Sequence, residues 1–86
     1  AEEGSVEEGL DLVLETAEDL IAERGDRVFG SMVKQTLRRR RPGFSEATYG
    51  FRSFGDLLEY ASDQGFADIE MDERSGGYVI YAIHRG

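Results

Sequence analysis

Eighty-six residues with no cysteine, 40% hydrophobic and 33% charged, describe one ordered domain; they exclude a disulfide framework, a thiolate zinc site and a disordered chain. No apolar run approaches the roughly 20 residues of a membrane span, and the acidic start AEEGSVEEGL has no signal-peptide form. The formal net charge of -8 taken alone argues against a nucleic-acid partner.

The first element in chain order is a helix over SVEEGLDLVLETAEDLIAERG. Val6, Leu10, Val13, Leu14, Ala17, Leu20 and Ile21 recur at helical spacing. Ser5 with Glu8 makes a capping box, Gly9 weakens the first turns, and Gly25 is the stop.

GSMVKQTLRRRRPG predicts a second helix, capped by Ser31 and ended by Pro42-Gly43. Val33 and Leu37 face the core. At about 100° per residue, Lys34, Arg38 and Arg41 fall within about 60° of one another, Arg39 points elsewhere and Arg40 flanks the apolar stripe. FSEATYG reads as a short helical turn. SFGDLLEYASDQG reads as a third helix, capped by Ser53 and stopped by Gly65, with Phe54, Leu57, Leu58 and Ala61 inward.

The C-terminal part reads as a hairpin. In FADIEMD, Ala67, Ile69 and Met71 alternate with Asp68, Glu70 and Asp72; ERSGG is the loop, and YVIYAIH is the return strand, apolar on both faces. The expected fold is α+β: a winged helix-turn-helix of three main helices, a short helical turn and a C-terminal two-stranded β-hairpin. Residues 1–86 form one domain. Their opening on alanine, with no linker or tail, fits a domain cut from a longer protein. The expected core runs through Leu10, Leu14, Leu20, Ile21, Val33, Leu37, Phe54, Leu57, Leu58 and Ile69.

The charges are not spread evenly. Residues 27–52 hold seven of the ten bases and one acid, Glu46, whereas the segments on either side are acidic. Basic residues at a helix C-terminus suit the helix dipole, worth about 0.3–1 kcal/mol each when exposed, and that is the plain explanation of the run. A phosphate-contacting surface is the functional one, since lysine meets phosphate as a point charge and arginine as a fork. The clustering favours the surface. The third helix carries Asp56, Glu59 and Asp63, which disfavours insertion into a DNA major groove. Tyr49 either stacks on a base or an exposed quartet, or covers its own loop. Phe44, Phe51 and Phe54 read as core, and Tyr78 and Tyr81 as hairpin packing. His84 reads as incidental, and Asp68, Glu70 and Asp72 as the outer face of a strand. No nucleophile and base set, phosphate loop or metal-ligand spacing is present, so neither an enzyme, a cofactor nor a metal is expected.

The second half resembles the LOTUS domain, also called OST-HTH. The likeness is strongest over residues 33–80. It rests on a lysine-bearing helix running into RRPGFSEATYGF, then RSFGDLLEYASDQGF, then the hairpin DERSGGYVI. The resemblance implies a winged helix-turn-helix that binds RNA, with a taste for G-rich and quadruplex RNA. The expected RNA-binding residues are Lys34, Arg38, Arg41, Tyr49 and Arg52, with Arg39 and Arg74 beside them. Some members bind a DEAD-box helicase through an extra helix after the hairpin. This sequence stops at Gly86 directly after it, so tight helicase binding is not expected. The rivals are a protein-interaction module, either a homodimer through the hairpin's second apolar face or a helicase dock, and a duplex-DNA-binding winged helix. A cysteine-free chain of this kind is expected in the cytoplasm.

Overall fold

The computed structural model describes residues 6–74 and 76–84. Helix α1 (Val6–Arg24) is followed by a short strand β1 (Val28–Phe29), α2 (Gly30–Arg40), a 3-10 turn (Glu46–Tyr49), α3 (Phe54–Asp63), β2 (Ala67–Asp72) and β3 (Gly77–Ile83). This is an α+β winged-helix arrangement, with the β2–β3 hairpin as the wing. The Ser5 cap expected for α1 lies outside the described residues.

The helices form where the apolar spacing places them. Gly25 and Gly65 both take the left-handed conformation just past α1 and α3, the usual device for closing a helix end. The Ser53 side chain accepts from the Asp56 N–H at the start of α3. The cap of α2 differs from the sequence expectation. The helix begins at Gly30, its N-cap is Phe29 in extended conformation, and no side chain caps it. Phe29 is already hydrogen-bonded in a sheet, so the chain passes directly from strand to helix and Ser31 falls inside the first turn.

That sheet has three strands, not the two of the expected hairpin, in the order β1-β3-β2 with both pairs antiparallel. Val28 pairs with Ile80 and Phe29 with Val79. β3 is therefore the central strand, which accounts for its unbroken apolar run; Val79 and Ile80 are both buried. A register shift between Asp68 and Ile69 breaks the strict alternation expected of β2. Ala67 is buried and Ile69 half-buried, but Met71, expected inward, is exposed.

One core joins all three helices to the sheet. Val13, Val33, Leu57, Ala61 and Ile80 are wholly shielded from solvent. Leu10, Leu14, Leu37, Phe54 and Leu58 belong to the same cluster, and Leu20, Ile21 and Ile69 pack at its margin. Val28 joins it from β1. Thr16 is the one buried polar residue among those described, and its hydroxyl donates to the Leu12 carbonyl at 2.8 Å, so its burial leaves no donor unmet.

The hairpin is tied to α3 by the Tyr78 hydroxyl, which donates to a Glu59 carboxylate oxygen. This hydrogen bond, with the negative charges of Glu59 and Asp56, raises the Tyr78 pKa above its usual 10.0. A raised folded-state pKa means that the contribution is present below pH about 10 and is lost as pH rises through the folded-state value. Ultraviolet titration of the folded protein should show a phenol ionising later than free tyrosine, and Tyr78→Phe should remove it. A wild-type titration without that late step would show that the Glu59 contact does not persist in solution.

Candidate functional site

The C-terminal half of α2 and the loop after it gather the cations. Lys34 is half-buried on α2; its Nζ lies 3.5 Å from Glu46 Oε1 and 5.9 Å from the centre of the Phe54 ring. Both partners keep solvent access, so this ion pair is worth about 0–1 kcal/mol. It joins the 3-10 turn to α2 across the first hollow. Arg38, one turn beyond Lys34, joins it around a hollow of about 230 Å³ closed by Phe44, Ser45 and Glu46.

Arg41 leaves the helical path. It is the C-cap of α2, with φ -137° and ψ 88°, so helical angles hold for Lys34 and Arg38 but not for Arg41. The Pro42 that follows disfavours helical geometry at Arg41. The Phe44 N–H then donates to the Arg41 carbonyl at 2.9 Å, closing a tight turn. Arg41 lines a second hollow of about 410 Å³ with Arg40, Pro42, Gly43, Phe44 and Tyr49. Phe44 is common to both hollows.

Phe44 is buried and stacks on Tyr49, with ring centres 5.5 Å apart. Tyr49 in turn lies over α1 at Gly9, where a Cβ would come within 2.5 Å of the Tyr49 ring carbon Cγ. Gly9 is thus a notch for an aromatic ring. Tyr49 is half-buried and also lines the second hollow, so it packs on its own loop and still presents part of its ring there.

The remaining site residues spread out. Arg39 is exposed and lines neither of these two hollows. Arg52 is exposed between the 3-10 turn and α3. Arg74 sits in the β2–β3 turn and lines a separate hollow of about 350 Å³ on the sheet, with Arg27, Phe29, Met71 and Tyr81. Two residues of the α2 site were not among those expected. Arg40 lines the second hollow, and its Nη1 donates to Asp19 Oδ2 of α1 at 3.0 Å. Glu46 lines the first; the signal for it was present in the sequence, as the one acid among residues 27–52. Arg38, Arg39 and Arg41 form no ion pair among the described residues.

Elsewhere the chemistry is ordinary. Glu59 and Asp63 are exposed on α3, with Asp56 half-buried, so this helix presents acids. His84 pairs with Asp68 across the hairpin at 2.9 Å, both exposed. No group of three or more histidine, aspartate or glutamate side chains is placed to hold a metal among the described residues. No described helix is long and apolar enough to cross a membrane.

Comparison with family models matches residues 9–79 to the OST-HTH/LOTUS domain. The match takes in α1 from Gly9 onward and runs into β3, beyond the segment in which the sequence resemblance is strongest. Comparisons with curated proteins and with solved structures give no match.

Gly9 and Tyr49 supply a test of this corner. Alanine is better than glycine inside a helix by about 1 kcal/mol. Forcing atoms into a filled site costs about 1–3 kcal/mol, and here the obstacle is the base of the ring and not its flexible end. Gly9→Ala should therefore lower stability in urea denaturation, yet raise it in a Tyr49→Ala background. Stabilisation in both backgrounds would mean that the ring does not occupy the notch.

Proposed function

The chain belongs to the OST-HTH/LOTUS family, and from that premise we propose that it is a non-catalytic RNA-binding module that tethers G-rich or quadruplex-forming RNA to a larger protein. The observation that carries the reading is the pair of hollows around Phe44. They bring Lys34, Arg38 and Arg41 onto one surface of a chain whose formal net charge is -8. Little else on the domain attracts a polyanion. Arginine forks and a lysine ammonium suit phosphate oxygens, and the exposed part of Tyr49 beside Arg41 suits a stacked base. Arg52 and Arg39 are exposed outside the two hollows and serve as secondary contacts in this reading; Arg74 lies apart on the sheet and contributes only to an RNA long enough to pass round the domain. The acids of α3 weigh against duplex-DNA reading, because a helix bearing Asp56, Glu59 and Asp63 is repelled by a phosphate-lined groove. The cysteine-free sequence suits a cytoplasmic setting.

A protein-interaction reading has its own support in the outer face of the sheet. Phe29 and Tyr81 are 36% and 45% exposed there, around the hollow that holds Arg27 and Arg74. Such a face suits a second copy of the chain. That association would be governed by apolar contact and would survive salt, whereas RNA binding at α2 would not.

Changing Lys34, Arg38 and Arg41 together to glutamate should abolish binding of a G-rich RNA and leave the fold intact, since none of the three belongs to the core. For single strands, log affinity falls with log salt by about 0.7 per phosphate neutralised, so three contacts give a wild-type slope near about -2. Tyr49→Ala should weaken binding with little change of slope, because stacking releases no counterions. A triple variant that stays folded and keeps wild-type affinity would reduce the arginine run to a charged helix end.

A further inference from the structure

We propose that Glu46 reads a single unpaired guanine in the hollow that it shares with Lys34 and Arg38. The inference rests on the RNA-binding reading and goes beyond it by naming the group that selects the base.

A carboxylate is out of place in a site built for phosphate alone. Glu46 is the one acid among residues 27–52, and the fold puts it in the middle of the basic surface, with its side chain only 20% exposed. There it weakens attraction for a polyanion. The same group is well suited to a base edge. An ionised carboxylate only accepts hydrogen bonds, at two oxygens side by side. Guanine offers two adjacent donors on its Watson–Crick edge, the N1–H and an N2–H. Adenine and cytosine offer one amine beside an acceptor nitrogen, and uracil one N–H between two carbonyls. Guanine alone therefore matches the carboxylate at both positions.

The surroundings fit that role. The Lys34 contact reaches Glu46 through Oε1 at 3.5 Å, well beyond the roughly 2.7–2.9 Å of a tight charge-assisted bond, so the carboxylate keeps accepting capacity for a ligand. The hollow, of about 230 Å³, is bounded mainly by polar side chains, with the buried Phe44 behind them. Lys34 and Arg38 stand on the same hollow, placed for the phosphates on either side of the base. A guanine already paired, or held in a quartet, has its N1–H and N2–H engaged. The site therefore takes a guanine from a loop or a single strand, where such edges are open.

The test uses the whole chain and short oligouridines carrying one central guanine, adenine, cytosine or inosine, too poor in guanine to form a quadruplex. Wild type should prefer guanine over adenine by roughly 5- to 150-fold, the discrimination that one bidentate pair supplies. Inosine, which lacks the N2 amine, should fall between. Glu46→Gln keeps the shape, but its amide cannot accept at both positions. That amide offers one acceptor and one donor, the complement of adenine's amine and ring nitrogen, so the guanine preference should be lost and adenine should bind at least as well as guanine, with the fold retained. Equal binding of all four oligonucleotides by wild type, or a guanine preference that survives in Glu46→Gln, overturns the inference and leaves RNA binding standing. Binding of a folded quadruplex RNA with none to the single-guanine strand does the same. No binding to any of these RNAs overturns the RNA reading itself, and the inference with it.

Discussion

The burial of Phe44 is the contact on which the rest of the site depends. The chain leaves α2 at Arg41, turns through Pro42 and Gly43, and must return to the domain before α3 begins. Phe44 is where it returns. Removing such a ring from water is worth about 1.5–3 kcal/mol, whereas the exposed ion pairs of this region are worth about 0–1 kcal/mol each. Apolar anchoring therefore sets the geometry, and the charges follow it. Phe44 stacks on Tyr49, Tyr49 fills the notch at Gly9, and the 3-10 turn is thereby fixed against α1. With the turn in place, Glu46 meets Lys34, and Phe44 lines both hollows.

Charge placement then separates a binding surface from the rest. The acids of α1 and α3 are mostly exposed, and those of the hairpin lie on β2 and in the turn after it. Asp19 holds one arginine of the run, Arg40, against α1. The other three project without an acidic partner among the described residues. On the proposed reading, an acidic domain with one basic surface would repel a polyanion over most of its area and admit it there, giving register before any base is read.

Much of this was legible in the sequence, and the failures have local causes. The three helices, the cap at Ser53, the glycine stops and the hairpin all rest on spacing and turn chemistry, which act within a few residues. Strand β1 was not legible because two residues carry no periodicity; Val28 and Phe29 become a strand only by meeting β3. Missing it also moved the start of α2, since Phe29 in the sheet, and not Ser31, adopts the cap conformation. Arg41 was placed on a helix that ends one residue earlier, although the proline after it was the warning. The contacts of Glu46 and Tyr49 with Lys34 and Gly9 join residues far apart in the chain, so no local pattern announces them. Gly9 in particular reads as a weak point of a helix until the ring above it is seen.

The central claim is that RNA meets this domain at the α2 corner. A titration of isotope-labelled protein with a G-rich RNA, followed by amide NMR shifts, tests it most directly. The account predicts that the largest shifts fall between Lys34 and Tyr49, that amides of the exposed acidic faces of α1 and α3 move little, and that added salt reverses the pattern. Shifts centred instead on the outer face of the sheet, around Phe29, Val79 and Tyr81, would contradict it.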